Sequence, residues 1–200
     1  MTMSVPGQAD CKRTTKETDI AVTLVLDGRG QADVTTGVPF MDHMLDAFAR
    51  HGFFDLRVAA RGDLQVDAHH TLEDLGLVLG GAIRQAAGNK TGLTRFGSAA
   101  VPMDEALARV VLDLSGRPCL AWRVRHDSRQ VGGLDARLFR EFFQALANSA
   151  GMTLHVDLLA GEELHHCYEA VFKAFGRALD RATRPEPRAA GRIPSTKGSL

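Results

Sequence analysis

His69, His70 and Glu73, in DAHHTLED, have the same internal spacing as His165, His166 and Glu169, in ELHHCYEA, 96 residues later. On a helix, positions i and i+4 share a face. His69 and Glu73 can therefore address one point in space, and His165 and Glu169 another. The adjacent histidine lies about 100° round the helix and must address something else. Four imidazoles and two carboxylates at this spacing suit Mn, Fe, Zn or a similar divalent ion. Two ions are easier to satisfy than one, because adjacent histidines diverge. A single histidine pair is usually a surface or capping feature, but nothing in core packing requires His-His-x-x-Glu twice. Asp67 and Asp74 could orient a histidine from behind, or Asp67 could cap the helix. Cys167 falls on the opposite helix face, where packing is expected.

Other residues could join these. His43 and His51 sit at the two ends of an amphipathic stretch, and Glu141 in REFF takes the place in the second half that His43 has in the first. Each half therefore offers a third candidate ligand. Arg95, Arg117, Lys173 and Lys197 supply positive charge outside the repeated device. Ser195, Thr196 and Lys197 follow a Pro/Gly-rich stretch and could bind an anion through hydroxyls and an ammonium, or could be a solvated end.

The elements that must carry these residues are legible in outline. TDIAVTLVLDGRG alternates as a half-buried strand, and FMDHMLDAFARHG has helical spacing with Gly52 as its stop. Phe54, Leu56 and Val58 read as a strand, Arg61–Gly62–Asp63 as a turn, and Leu64 and Val66 as a further short strand. TLEDLGLVLGGAIRQA is a helix. The second half replays the order. ALARVVLDLSGRPCLAWRV gives two strands, LFREFFQALANSAG a helix, MTLHVDLLAG a strand, and HHCYEAVFKAFGRALDRAT a helix. Gly80 and Gly176 share the displacement of 96, as do Ile83 and Leu179. The expected fold is a duplicated α+β unit, residues 10–92 and 93–182, followed by an extended tail over 183–200.

Bulk properties narrow the function classes. The 24 basic and 24 acidic residues cancel, which gives no pointer to nucleic acid or an anionic membrane as main partner. MTMSVPGQADCKRTTKE has no apolar core, so no secretory leader is expected. Three widely spaced cysteines argue against a disulfide framework and for a reducing, cytoplasmic setting.

DAHHTLED, HMLDAFARHG, EELHHCYEAVFKAFGRAL and the terminal PSTKG together resemble imidazoleglycerol-phosphate dehydratases of histidine biosynthesis. The resemblance runs from about Arg13 to the end, with the motifs in order. It implies a lyase that removes water from imidazoleglycerol phosphate to give imidazole acetol phosphate. It also implies two Mn²⁺ per active site, and two similar halves that are each a four-stranded sheet with helices on one face. An octahedral assembly of 24 identical subunits is implied too, with active sites where subunits meet. One metal would be held by His43, His70, His165 and Glu169. The other would be held by His69, Glu73, His166 and residue 141, where many members have histidine and this chain has glutamate. Glu17 matches the substrate-contacting glutamate, expected to act as general acid/base. Arg95, Arg117, Ser195 and Lys197 match the phosphate binders, with Thr196 between them. His43–His51 and His165–Lys173 match the stretches that line the substrate.

The implied reaction explains the duplication. The proton lost sits on a carbon with no carbonyl beside it, so the imidazole must be the electron sink. Two cations, one at each ring nitrogen, favour the imidazolate that expels hydroxide and passes through a diazafulvene. Two other readings use the same ligands. A dinuclear hydrolase would release phosphate, and a non-catalytic metal-binding cage would leave Glu17, Arg95, Arg117 and the tail without a purpose.

Overall fold

The computed structural model describes residues 7–125, 130–189 and 191–198. Residues 1–6, at the start of the segment read for a leader, and residues 190, 199 and 200 of the tail lie outside this range. The first half runs β1 (Gln8–Thr14), β2 (Thr18–Val25), β3 (Ala32–Thr35), α1 (Pro39–Gly52), β4 (Asp55–Gly62) and α2 (His69–Ala87). The second runs β5 (Phe96–Met103), β6 (Ala106–Asp113), β7 (Cys119–Arg123), a two-residue-per-strand hairpin β8 (Gln130–Val131) and β9 (Leu134–Asp135), α3 (Arg137–Ala150), β10 (Thr153–Ala160) and α4 (Leu164–Thr183).

The two sheets have the same order, β1-β2-β4-β3 and β5-β6-β10-β7. In each, the last pairing is parallel and the others antiparallel. The parallel pairing forces a crossover, and α1 and α3 supply it. The alternation Ile20, Val22, Leu24 turns one face of β2 inward, and all three are buried. Helices cover only that face of each sheet, so the fold is α+β. The helices of the two halves meet in the middle, α2 against α3 and α1 against α4, with a sheet outside each layer.

Two equivalent glycines permit these meetings. A Cβ on Gly80 of α2 would collide with the Leu146 carbonyl oxygen of α3, and one on Gly176 of α4 with the Phe48 carbonyl oxygen of α1. Around the crossings a continuous aromatic core forms. Phe48 stacks on Phe175 at 5.1 Å between centroids, and Phe139 on Tyr168 at 4.2 Å.

Three sequence expectations change. Leu64–Val66 is a turn, not a strand: the Val66 amide donates to the Asp63 carbonyl at 2.8 Å, and Val66 is exposed. Two apolar residues in a three-residue stretch are too short a run to specify a strand. Gly52 does not stop α1 by taking up left-handed backbone; Phe53 does, at φ 58°, while Gly52 gives close approach to the Gly176 carbonyl. The strands β1, β3 and β5 stand where the sequence reading placed no element. Their apolar alternation is broken by Asp10, Lys12, Asp33, Ser98 and Pro102, as befits strands at or near sheet edges.

Among the described residues, no helix is long and apolar enough to cross a membrane. Gly80→Ala and Gly176→Ala test the crossings. Each is expected to destabilise the fold by about 1–3 kcal/mol through overpacking, outweighing the gain of about 1 kcal/mol in helix propensity. Denaturant midpoints measure this, and an unchanged or higher midpoint would refute the tight crossing.

Candidate metal and substrate site

The helix pairing across halves decides which chemical groups meet. α4 lies along α1, so His165 and Glu169 at its start reach His43 near the start of α1. The Glu169 carboxylate stands 3.2 Å from His165 Nε2 and 3.3 Å from His43 Nε2. One nitrogen or oxygen from each of the three lies within 4.8 Å of the others. The Phe40 ring meets His165 edge-on at 5.2 Å and limits its rotation. Lys173, one turn further along α4, donates to Glu169 at 2.6 Å. Burial alone would raise the Glu169 pKa, but hydrogen bonds from Lys173 and His43 together hold it below the usual carboxylate value. His51 lies at the far end of α1. Its pKa is lowered, first by burial and then by the charges of Lys173 and Arg177.

The other crossing repeats the arrangement only in part. His69 and Glu73 pair at 3.6 Å on α2. His69 and Glu141 of α3 line one cavity of about 780 Å³, with Asp67, Arg137 and the 132–135 hairpin. His43 and Glu141 are each the fifth residue of their helix. Their separation is 98 rather than 96, so the second half holds two extra residues before α3. Glu141 accepts from Arg140 at 3.2 Å.

The second histidine of each pair faces away from its own triad. His70 Nδ1 bonds Asp63 at 3.0 Å, with Glu17 3.8 Å off. Glu17, Asp63 and His70 form the second close donor group among the described residues. The other oxygen of Asp63 is buried without a partner. His166 Nδ1 bonds Glu105 at 2.8 Å. A carboxylate on Nδ1 fixes the ring and leaves Nε2 for another partner. The single chain thus gathers His43, His165 and Glu169, and sets His69, with Glu73 beside it, and Glu141 along one cavity wall without drawing the three into a close group among the described residues. It does not bring His70 to the first set or His166 to the second.

Asp63 and Glu105 escaped the sequence reading. Asp63 was read only as a turn residue, and Glu105 sits on a hairpin tip far from His166 in sequence. Asp74 does not orient a histidine; it bonds Arg13 at 2.9 Å and the Thr18 hydroxyl. Asp67 does accept from the His69 amide, at 2.7 Å, as a helix-start cap. Cys167 is fully buried, in a packing role.

The anion-binding candidates gather elsewhere. Arg95 grips Asp113 with Nε and Nη2, and its Nη1 donates to the Pro194 carbonyl at 2.6 Å. Arg117 donates its amide to the Ser115 hydroxyl at 3.1 Å and stands exposed. The Lys197 amide donates to the Ser195 hydroxyl at 3.2 Å, making a turn that also carries Thr196.

The Glu105–His166 pair gives the metal-free chain a pH signature. The His166 hydrogen bond holds Glu105 down to about 2, and the same bond raises His166. The depressed carboxyl stabilises the fold above its ordinary value of 4.5 and loses that stabilisation as pH falls through the folded value. The raised imidazole stabilises below its ordinary 6.5 and loses that as pH climbs through its folded value. Glu105→Gln is therefore expected to lower the melting temperature most between pH 4.5 and 6.5. A deficit that is flat across pH would show that the pair carries no charge-dependent stability.

Comparison with known proteins agrees with the geometry. The profile of the family described as imidazoleglycerol-phosphate dehydratase matches residues 36–179. A protein of that name from Acidithiobacillus ferrooxidans is 56% identical over 195 residues, 98% of each chain. One from Dechloromonas aromatica is 57% identical, over 96% of this chain and 99% of its own. The crystal structure of the Pyrococcus furiosus enzyme in complex with (S)-C348 superposes with a TM-score of 0.80 at 40% identity. That match covers 94% of this chain and 99% of the other. The Staphylococcus aureus enzyme superposes with a TM-score of 0.78 at 37% identity, over 89% of this chain and all of its own. The chain belongs to the imidazoleglycerol-phosphate dehydratase family.

Proposed function

We propose that the chain removes water from imidazoleglycerol phosphate to give imidazole acetol phosphate, in the cytoplasm, with two divalent cations, Mn²⁺ by family, in each active site. The observation that carries the metal reading is the convergence of His43, His165 and Glu169, delivered by opposite halves, on one point. Two imidazole nitrogens and a carboxylate already held ionised fit a first-row divalent cation. His70 would complete this set and His166 the set of His69, Glu73 and Glu141. Both stand apart from those sets within one chain, so the metals they would help to hold belong to sites shared with neighbouring copies in a closed assembly, 24 subunits by resemblance. When bound, the two cations would stabilise negative charge on the imidazole ring and so let it accept the electrons of the breaking C–H bond.

The chain's own residues do the rest. Glu17, exposed on the β1–β2 turn and beside His70, is placed to give a proton to the departing hydroxyl and then, as the carboxylate, to take the proton from the neighbouring carbon. Asp63 holds His70 in one orientation beneath it. Arg95, Arg117, Ser195 and Lys197 would hold the phosphate, with Thr196 in the same turn, and His51 and Lys173 would lie along the substrate. Binding energy spent on the distant phosphate fixes the ring where the proton transfer occurs.

Turnover of imidazoleglycerol phosphate by chelator-stripped protein, before and after restoring Mn²⁺, tests the reading. Metal-dependent ketone is expected. Release of inorganic phosphate without ketone would replace it with a hydrolase. Glu17→Gln is expected to lower kcat on the order of 10²–10⁴-fold, and full turnover would remove Glu17 from the chemistry. Glu141→Ala is expected to reduce the bound Mn²⁺ per chain from two to one in a metal titration; two retained ions would show that Glu141 is not a ligand. Truncation after Ile193 should raise KM by about tenfold or more, about 1.4 kcal/mol of lost binding, with little change in melting temperature. An unchanged KM would remove the tail from the binding site.

A further inference from the structure

The C-terminal end of β6 supports both arginines assigned to the phosphate. Asp113 is its last residue, and the Arg95 guanidinium lies on it as a two-pronged pair, Nε to one oxygen at 2.7 Å and Nη2 to the other at 2.9 Å. Ser115, two residues on and buried, accepts the Arg117 amide and donates to the Arg117 carbonyl at 3.1 Å.

Arg95 is an unusual support. Its backbone is left-handed, at φ 71°, although it carries a bulky side chain. Its amide donates to the Ala182 carbonyl at the end of α4, and its carbonyl accepts from Leu114 just past β6. Its side chain is largely covered, 11% exposed beside an 18% exposed Asp113, and the guanidinium carbon stands 4.7 Å above the Phe96 ring. Nη1 alone reaches beyond this frame, to the Pro194 carbonyl next to Ser195. The tail is stitched to the same linker elsewhere. The Gly92 amide donates to the Arg192 carbonyl at 2.9 Å, and the Glu186 amide to the Gly92 carbonyl at 2.8 Å.

We propose that Asp113 is a positioning residue for phosphate recognition: it sets the Arg95 fork so that the third prong of the guanidinium seats the tail at Pro194 and presents Ser195 and Lys197. The inference rests on the dehydratase reading for its ligand, not for its geometry. Two of the five guanidinium N–H groups go to Asp113 and one to Pro194, so two remain for an incoming anion. Without Asp113 the fork has no fixed orientation, and the tail loses its side-chain tether at the residue preceding Ser195. Asp113 touches neither the substrate nor the triads.

The test uses the full-length, metal-loaded protein and Asp113→Asn. KM for imidazoleglycerol phosphate should rise about tenfold while kcat stays within about twofold, the signature of lost binding that is equal in ground and transition states. Asp113→Glu, which keeps the carboxylate, should recover part of that loss. Amide hydrogen exchange, read without any substrate, should accelerate over residues 192–198 in Asp113→Asn and stay unchanged in α1–α4. Inorganic phosphate should slow tail exchange in the wild type and do so less in the variant. Native KM together with native tail exchange overturns the proposal, as does a kcat loss with KM unchanged. If Asp113→Asn fails to assemble, Arg95→Lys decides: it keeps the charge and loses the fork, and native tail exchange there overturns the proposal. A wild-type protein without dehydratase turnover would sink the functional reading alone, because the exchange experiment still reports whether Asp113 seats the tail.

Discussion

The structure depends on two helix crossings at which backbone meets backbone. Gly80 of α2 against α3, and Gly176 of α4 against α1, let the helices of opposite halves touch. Close-packed interiors tolerate little adjustment, so these contacts fix the rotation of α2 and α4 about their axes. That rotation aims His69 at the cavity that Glu141 lines, and His165 and Glu169 at His43. Neither half could make these meetings alone. His165 and Glu169 of α4 meet His43 of α1, and His69 of α2 faces the cavity lined by Glu141 of α3.

The repeated His-His-x-x-Glu device was the most legible feature of the sequence, because helical geometry alone dictates that i and i+4 share a face. The structure bears this out in the His165–Glu169 and His69–Glu73 pairs. The duplication of the sheets was equally plain in outline, since β2, β4, β6 and β10 carry clean apolar alternation. The polar edge strands β1 and β3 were not readable, because their identity comes from a neighbour's hydrogen bonds rather than from a buried face of their own.

The orienting carboxylates were invisible for a different reason. Asp63 lies seven residues before His70, and Glu105 lies 61 before His166, so no common spacing announces them. Only the closing of β4 onto α2, and of the β5–β6 hairpin onto α4, brings them to a ring nitrogen. The Asp113–Arg95 pair is hidden in the same way, with 18 residues and a strand turn between its members. Local periodicity reveals what one element presents; it is silent about what a second element leans against it.

Glu141 stands on α3 where α1 has His43, so the two halves differ there by one carboxylate. His43, His165 and Glu169 bring one carboxylate together, whereas the proposed set of His69, Glu73 and Glu141 would carry two. Coulomb attraction for a dication scales with that count and is stronger where water is thin. A planar ring suspended between the two sets would feel an uneven field, with the more anionic set neutralising more of its ion's charge. The two ring nitrogens, which already differ because the side chain sits on the carbon next to one of them, would then also meet different fields, and the protein would have a built-in preference for which way round the ring lies.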